Sequence, residues 1–235
     1  MKQAAILQSQ LRALASAETA ANLQRFFKTG PGQYGAGDVF LGIKVPPLRA
    51  LAKQHRDAGL DTIAALLASR YHEERMFALL LLMQFYQGAD EAAQQAAYDL
   101  YLGHTQRINN WDLVDVSAPR IVGRHLQDRS RKVLHKLARS SSLWERRIAI
   151  LATAWFIRLD DYADTLRIAE MLLQDEHDLM HKAVGWMLRE VGKRDLAAEE
   201  DFLHRHYRGM PRTMLRYAIE RFPEPKRKNY LHGKV

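Results

Sequence analysis

Arg146-Arg147-Ile148-Ala149-Ile150 states a pattern that returns as His181-Lys182-Ala183-Val184-Gly185 and again as Arg216-Tyr217-Ala218-Ile219-Glu220. The alanines Ala149, Ala183 and Ala218 stand 34 and 35 residues apart. Arg75-Met76-Phe77-Ala78-Leu79 carries the same signature 71 residues before Ala149, about two periods away, and the register between them falls on Val114-Asp115. Repeats of about 35–45 residues built from helix pairs mark an α-solenoid of the HEAT or armadillo type. A small alanine at a fixed point of each second helix is what close helix stacking needs. Two residues before the last three alanines stand Arg147, His181 and Arg216, so successive repeats present a basic or titratable group from equivalent positions. In a curved stack those positions are expected to line one concave wall.

The chain on either side reads the same way. Leu7, Leu11 and Leu14 have the i, i+4, i+7 spacing of an amphipathic helix. Helical cores are expected at 3–16, 17–29, 47–57, 61–69, 71–87, 91–103, 109–123, 128–139, 143–158, 160–173, 177–193, 196–207 and 210–222. The connections are short and polar, and no segment sustains the period-2 alternation of a strand. The fold class is therefore all-α. One breaker-rich loop, Gly30-Pro31-Gly32-Gln33-Tyr34-Gly35-Ala36-Gly37-Asp38, spells G-x-G-x-x-G from Gly30 to Gly35. It is not a dinucleotide fingerprint: no strand precedes it, and Pro31 stands where the phosphate-cradling turn would be. Its glycines are expected to supply positive φ. Pro46 and Pro47 suit the first turn of the next helix. Pro223 and Pro225 stop the last one, and Lys226-Arg227-Lys228 opens a tail expected to be loose until bound. The expected organisation is one HEAT-like repeat domain over 1–222 and a basic C-terminal tail over 223–235.

Composition narrows the function. The 235 residues are 47% hydrophobic, enough to bury a substantial core, and the longest apolar run, Met76 to Met83, is far too short to span a bilayer. Met1 to Gln10 alternates polar and apolar residues, unlike a signal peptide. With no cysteine, disulfides, thiol catalysis and Cys-ligated zinc are excluded. The expected location is cytoplasmic, with no membrane partner. Net charge is +8, and its placement is one-sided: 1–119 hold 11 Lys+Arg against 11 Asp+Glu, whereas 120–235 hold 24 against 16. A basic surface confined to one half favours a polyanion, nucleic acid first.

Asn109-Asn110-Trp111-Asp112-Leu113-Val114-Asp115 lies at the edge of that basic half. On a helix Trp111 and Asp115 share one face, a turn apart. Alone, the pair reads as a core indole with a cap or surface acid. Within the repeat, however, Asp115 puts a carboxylate where its counterparts offer bases or apolar groups. Trp186 sits beside Gly185, whose small size leaves room for something to approach; Trp155, between Ala154 and Phe156, is expected in the core. His177 and His181 have metal-compatible i, i+4 spacing, but no H-E-x-x-H pattern and no evident third ligand, so no metal is expected. No nucleophile elbow and no P-loop occur, and no cofactor is expected.

Four dispersed segments in order resemble the DNA alkylation repair family of AlkD-like DNA glycosylases. They are Phe40-Leu41-Gly42-Ile43 with Pro46 and Arg49; Trp111-Asp112 with Val114-Asp115; Trp144 with Arg147 and Ala149-Ile150-Leu151; and Lys182-Ala183 with Gly185-Trp186 and Leu188-Arg189-Glu190. The resemblance covers nearly the whole chain. It implies a C-shaped solenoid of HEAT-like repeats with a concave basic groove for duplex DNA, and excision of alkylated purines that carry a formal positive charge. It implies that Asp115 is the catalytic carboxylate and that Trp111 and Trp186 pack about the lesion nucleotide's backbone and sugar. It further implies that Arg147 and Arg189 are basic groove positions. Lys182, Arg212 and Arg216, from the same basic half, join them as expected DNA contacts. The chain departs from the family at Asn110, where W-W-D has its first Trp, and in the longer glycine-rich loop at 30–38.

The expected function is thus a glycosylase that hydrolyses the N-glycosidic bond of N3- or N7-alkylated purines in double-stranded DNA, without base flipping and as a monomer. The alternative is a non-catalytic HEAT-like protein that binds damaged or branched DNA. A helical protein–protein scaffold is a third reading. Pure binding would not need Asp115, which repels phosphate.

Overall fold

The computed structural model describes residues 2–235, whose regular secondary structure is helical. In chain order the helices are α1 (Lys2–Ala13), α2 (Ala17–Phe26), α3 (Val45–Gln54), α4 (Leu60–Leu67), α5 (His72–Gly88), α6 (Glu91–Gly103), α7 (Trp111–Ser117), α8 (Lys132–Leu137), α9 (Leu143–Ala152), α10 (Ala154–Ile157), α11 (Ala163–Met171), α12 (Asp178–Gly192), α13 (Leu196–His206), α14 (Arg212–Ala218) and α15 (Glu224–Leu231). Short polar side chains start several of them: Ser16, Asp90, Ser142 and Asp195 each accept a hydrogen bond from the backbone N–H three residues on. Among the described residues there is no strand, only a single parallel bridge between Val39 and Tyr71. No helix among them is long and apolar enough to cross a membrane.

The helices pack in the repeat-like manner of an α-solenoid, and the alanine register is buried in both units. Ala78, Ala149, Ala183 and Ala218 are all fully buried, and so is Val114 at the intermediate register. The chain forms two compact units, one ending at Ser117 and the other beginning at Ala118. In the first, α5 is the hub, packed against α3, α4, α6 and α7. Its residues from Met76 to Leu82 are buried on every side, as a central helix requires. In the second, α12 is the hub, packed against α9, α11, α13 and α14. Met180, Ala183, Val184, Met187, Leu188 and Val191 give it one continuous apolar stripe. Since Ala118 and Pro119 are neutral, the second unit carries the entire +8.

Several expectations need correction. The helix expected over 109–123 is α7 followed by a π-helical turn, Pro119–Gly123. Pro119 has no N–H to continue the ladder, and a Cβ at Gly123 would run into the Ala152 carbonyl oxygen. The helix expected over 143–158 breaks at Thr153, whose hydroxyl donates to the Ile150 carbonyl at 2.6 Å. The stretch after Pro223 is not loose: α15 is helical, and buried Tyr230 lies edge-on to Tyr207 and Phe222. Trp155 is half-buried rather than core; its indole N–H donates to Gln127 Oε1 at 2.9 Å. The room beside Gly185 is already taken by α14, since a Cβ there would strike the Met214 carbonyl oxygen and the Tyr217 Cβ.

Candidate active site

The first unit builds its polar cluster from the glycine-rich loop inward. Gly32 and Gly37 take φ of 74° and 85°, the left-handed region their residue type permits. The turn they make delivers Asp38 into the interior, 6% exposed. Four donors converge on its carboxylate. Arg75 donates to Oδ1 at 2.6 Å and Asn109 to the same oxygen at 3.2 Å; His72 Nδ1 lies 3.3 Å from Oδ2, and Asn110 donates there at 3.2 Å. Burial alone would raise the Asp38 carboxyl. The hydrogen bond from His72 and the charges of Arg75 and His72 outweigh it and hold the group at about 2.

The neighbouring residues of α5 tie down the following strip of chain. Glu73 accepts the backbone N–H groups of Leu41, Gly42 and Ile43 at 2.8, 2.8 and 3.1 Å. Gly42 has φ of 84°, and a Cβ on it would collide with the Ser16 carbonyl oxygen. The motif Phe40-Leu41-Gly42-Ile43 is therefore a backbone cradle around a buried carboxylate.

That framework sets α7. Asn110 is fully buried; its amide reaches Asp38 while its Oδ1 accepts the Trp111 N–H at 2.9 Å. Asp112 Oδ2 lies 2.8 Å from His72 Nε2. Trp111, half-buried, stacks on Phe27 with ring centroids 5.2 Å apart and meets Phe26 edge-on at 6.0 Å. Asp115, one turn on, is also half-buried. Its charge reaches Tyr101, whose hydroxyl burial raises and Asp115 raises further. A cavity of about 350 Å³ opens at the start of α7, walled by Phe26, Phe27, Phe40 and Met76, with His72 and Asp112 on its lining.

The second unit holds the other expected residues. Trp186 is half-buried and its indole N–H donates to Glu190 at 3.0 Å. It lines a cavity of about 410 Å³ with Arg158, Glu190, Lys193 and Arg194. Arg147 is 5% exposed and donates to the Leu179 carbonyl at 2.6 Å, tying α9 to α12. His181 Nε2 lies 2.5 Å from the Asp175 carbonyl, and Arg216 is exposed. The three repeat-register groups thus occupy unequal environments. Arg189 pairs with Glu220, Lys182 with Asp178 at 2.7 Å, and Arg212 donates to the Leu231 carbonyl at 2.6 Å. Among the described residues no group of His, Asp and Glu has the arrangement of a metal site.

A model of the DNA alkylation repair enzyme family matches residues 7–222. The chain belongs to that family. As a DNA alkylation repair enzyme it acts on DNA. Solved structures with the same fold include one described as a predicted DNA alkylation repair enzyme from Enterococcus faecalis. It is 18% identical, with a TM-score of 0.69 over 89% of this chain and 97% of that one. No curated protein matches the chain.

Reading the repair enzyme from sequence missed most of what holds α7. Sequence gives Asp38, His72 and Asn109 no role, and marks Asn110 only as a departure from W-W-D. The usable signal was a charged run, His72-Glu73-Glu74-Arg75, opening a helix that is otherwise apolar and central. Such a run must be paired if it is buried. Arg158, Lys193 and Arg194, around Trp186, were also missed; they differ from other surface cations only by their place on that cavity.

Proposed function

We propose that this repair enzyme is a DNA glycosylase that removes positively charged N3- or N7-alkylated purines from duplex DNA by hydrolysis, leaving the base unflipped. The observation that carries the reading is the α7 face: an indole and a carboxylate one turn apart, both reachable from solvent, in a chain of this family. A cationic alkylpurine is already a good leaving group, so no acid need protonate it. As the C1′–N bond breaks, its electron pair neutralises the base and positive charge develops on the sugar. Asp115 stabilises that charge and orients a water, whose oxygen bonds to C1′ while its proton passes to the carboxylate and on to solvent. The face of Trp111, one turn from that carboxylate, adds cation–π attraction of about 0.5–2 kcal/mol. The second unit supplies the cations that hold the phosphates, with Arg189, Lys182, Arg212 and Arg216 exchanging internal partners for DNA where they have them and Arg147 bracing α12 beneath.

The leaving-group logic gives the test. Duplex DNA with one 7-methylguanine should release that base and retain an abasic site. The same duplex carrying an uncharged lesion, 1,N6-ethenoadenine, should release none. Tight, salt-sensitive binding of both with release of neither would establish the non-catalytic alternative instead.

A further inference from the structure

The hydrolytic step uses Asp115 but not the ion cluster beneath α7. Both ring nitrogens of His72 face carboxylate oxygens, Asp112 at 2.8 Å and Asp38 at 3.3 Å. Each nitrogen needs its own proton to bond, so the ring is an imidazolium. Phe27 and Phe40 cover the ring, with centroids 5.1 and 4.5 Å away. The charged groups that face it are Asp112 from α7, Asp38 from the loop, and Arg75 on its own helix. Burial would lower the imidazole; the charge and hydrogen bond of Asp112 and the bond to Asp38 more than reverse this, against Arg75, and hold it at about 9.

A buried ion cluster is a poor way to stabilise a fold, because desolvation offsets most of the Coulombic gain. It does impose one geometry. Here that geometry is the rotation of α7. Asp112 follows Trp111 directly and precedes Asp115 by three residues, so a turn of the helix that breaks the Asp112–His72 bond swings both. Asn109 and Asn110, gripping the other end of the same bridge through Asp38, fix where the helix starts.

We propose that His72 is a positioning residue: by bridging Asp112 to Asp38 it locks the rotation of α7 and so aims Trp111 and Asp115 at the sugar of the lesion nucleotide. This rests on the glycosylase reading. It assigns the 30–38 loop the task of delivering Asp38, and it gives Asn110 a task a tryptophan could not perform.

The test uses Asp112→Asn and His72→Gln in the full chain, labelled with 5-fluorotryptophan, each first checked for a native helical spectrum. Single-turnover release of 7-methylguanine at saturating enzyme should fall about tenfold or more, as misaligned reacting groups do. The Kd for the same DNA should stay within about threefold, since the phosphate contacts lie elsewhere. The Trp111 fluorine resonance should shift or broaden while those of Trp155 and Trp186 hold. The wild-type rate should decline above pH 9, and that decline should be absent from His72→Gln. Wild-type release rates in both variants would overturn the proposal, as would a rate loss matched by an equal loss of affinity with the Trp111 resonance in place. Should His72→Gln not fold, Asp112→Asn decides. Should the wild type release no base at all, the glycosylase reading falls, and the Trp111 resonance alone decides the lock: unmoved in both variants, it refutes it.

Discussion

Asp38 shows how one buried carboxylate can organise a site it does not enter. It takes bonds from two helical side chains and from two asparagines of another segment. Removing one donor leaves a buried acceptor short, so Asn110→Ala should lower stability by about 1–3 kcal/mol in denaturant titration. His72 and Asp38 also make stability depend on pH, with opposite signs. The folded-state imidazole is raised from 6.5 to about 9, so its contribution is complete below pH 6.5 and lost as pH rises through 9. The Asp38 carboxyl is lowered from 3.8 to about 2, so its contribution is present above pH 3.8 and lost as pH falls through 2. The difference in melting temperature between wild type and His72→Gln should therefore be widest between pH 4 and 6.5 and shrink towards pH 10. A constant gap would mean the ring is neutral in the fold.

At the scale of elements, the repeat register is fully buried and has no room for larger side chains. Ala183 lies fully buried on α12, the helix against which α9 and α14 pack. Ala183→Leu should cost about 1–3 kcal/mol or more through overpacking, read by thermal or urea unfolding. Gly42→Ala should cost more than about 1 kcal/mol, because its φ is positive and a carbonyl stands behind it. These elements were legible in sequence because period and residue size are local properties. The alanines at 149, 183 and 218 announce the stacking, and the tryptophan and acid of α7 announce a face. What holds α7 was not legible. The Asp38–Asn110 contact joins residues 72 apart, and neither residue has a periodicity to betray it. The order of α15 was hidden for a related reason: its charged sequence gives little helical amphipathicity, and it is anchored by one buried residue, Tyr230. Arg147 was legible as a repeat position but not as a buried tie, since sequence shows where a side chain starts and not which carbonyl it finds.

At the scale of the whole molecule, charge divides along the chain. All the net positive charge lies from Ala118 onward, so DNA affinity should fall steeply with salt. Replacing exposed Arg216 by Ala should lower the log–log salt slope by about one if it meets a phosphate. Asp115→Ala should bind DNA no worse than wild type, because it removes a like charge. A 2-aminopurine placed beside the lesion should stay quenched in the complex if the base remains stacked. The second unit carries its own pH dependence through Glu199, sealed against Gly192, where burial lifts its carboxyl to about 8 against the pull of Arg189. A carboxyl raised from 4.5 favours the fold while neutral, so stability should drop as pH climbs from 4.5 through 8. Glu199→Gln should accordingly melt above wild type at pH 9, with the gap closing towards pH 5. The measurement that bears most directly on the proposed chemistry is single-turnover release of 7-methylguanine from duplex DNA by wild type and by Asp115→Asn. Release by wild type with at least about a hundredfold loss in the variant, at unchanged DNA affinity, is the predicted result; equal release by both, or none by wild type, would contradict it.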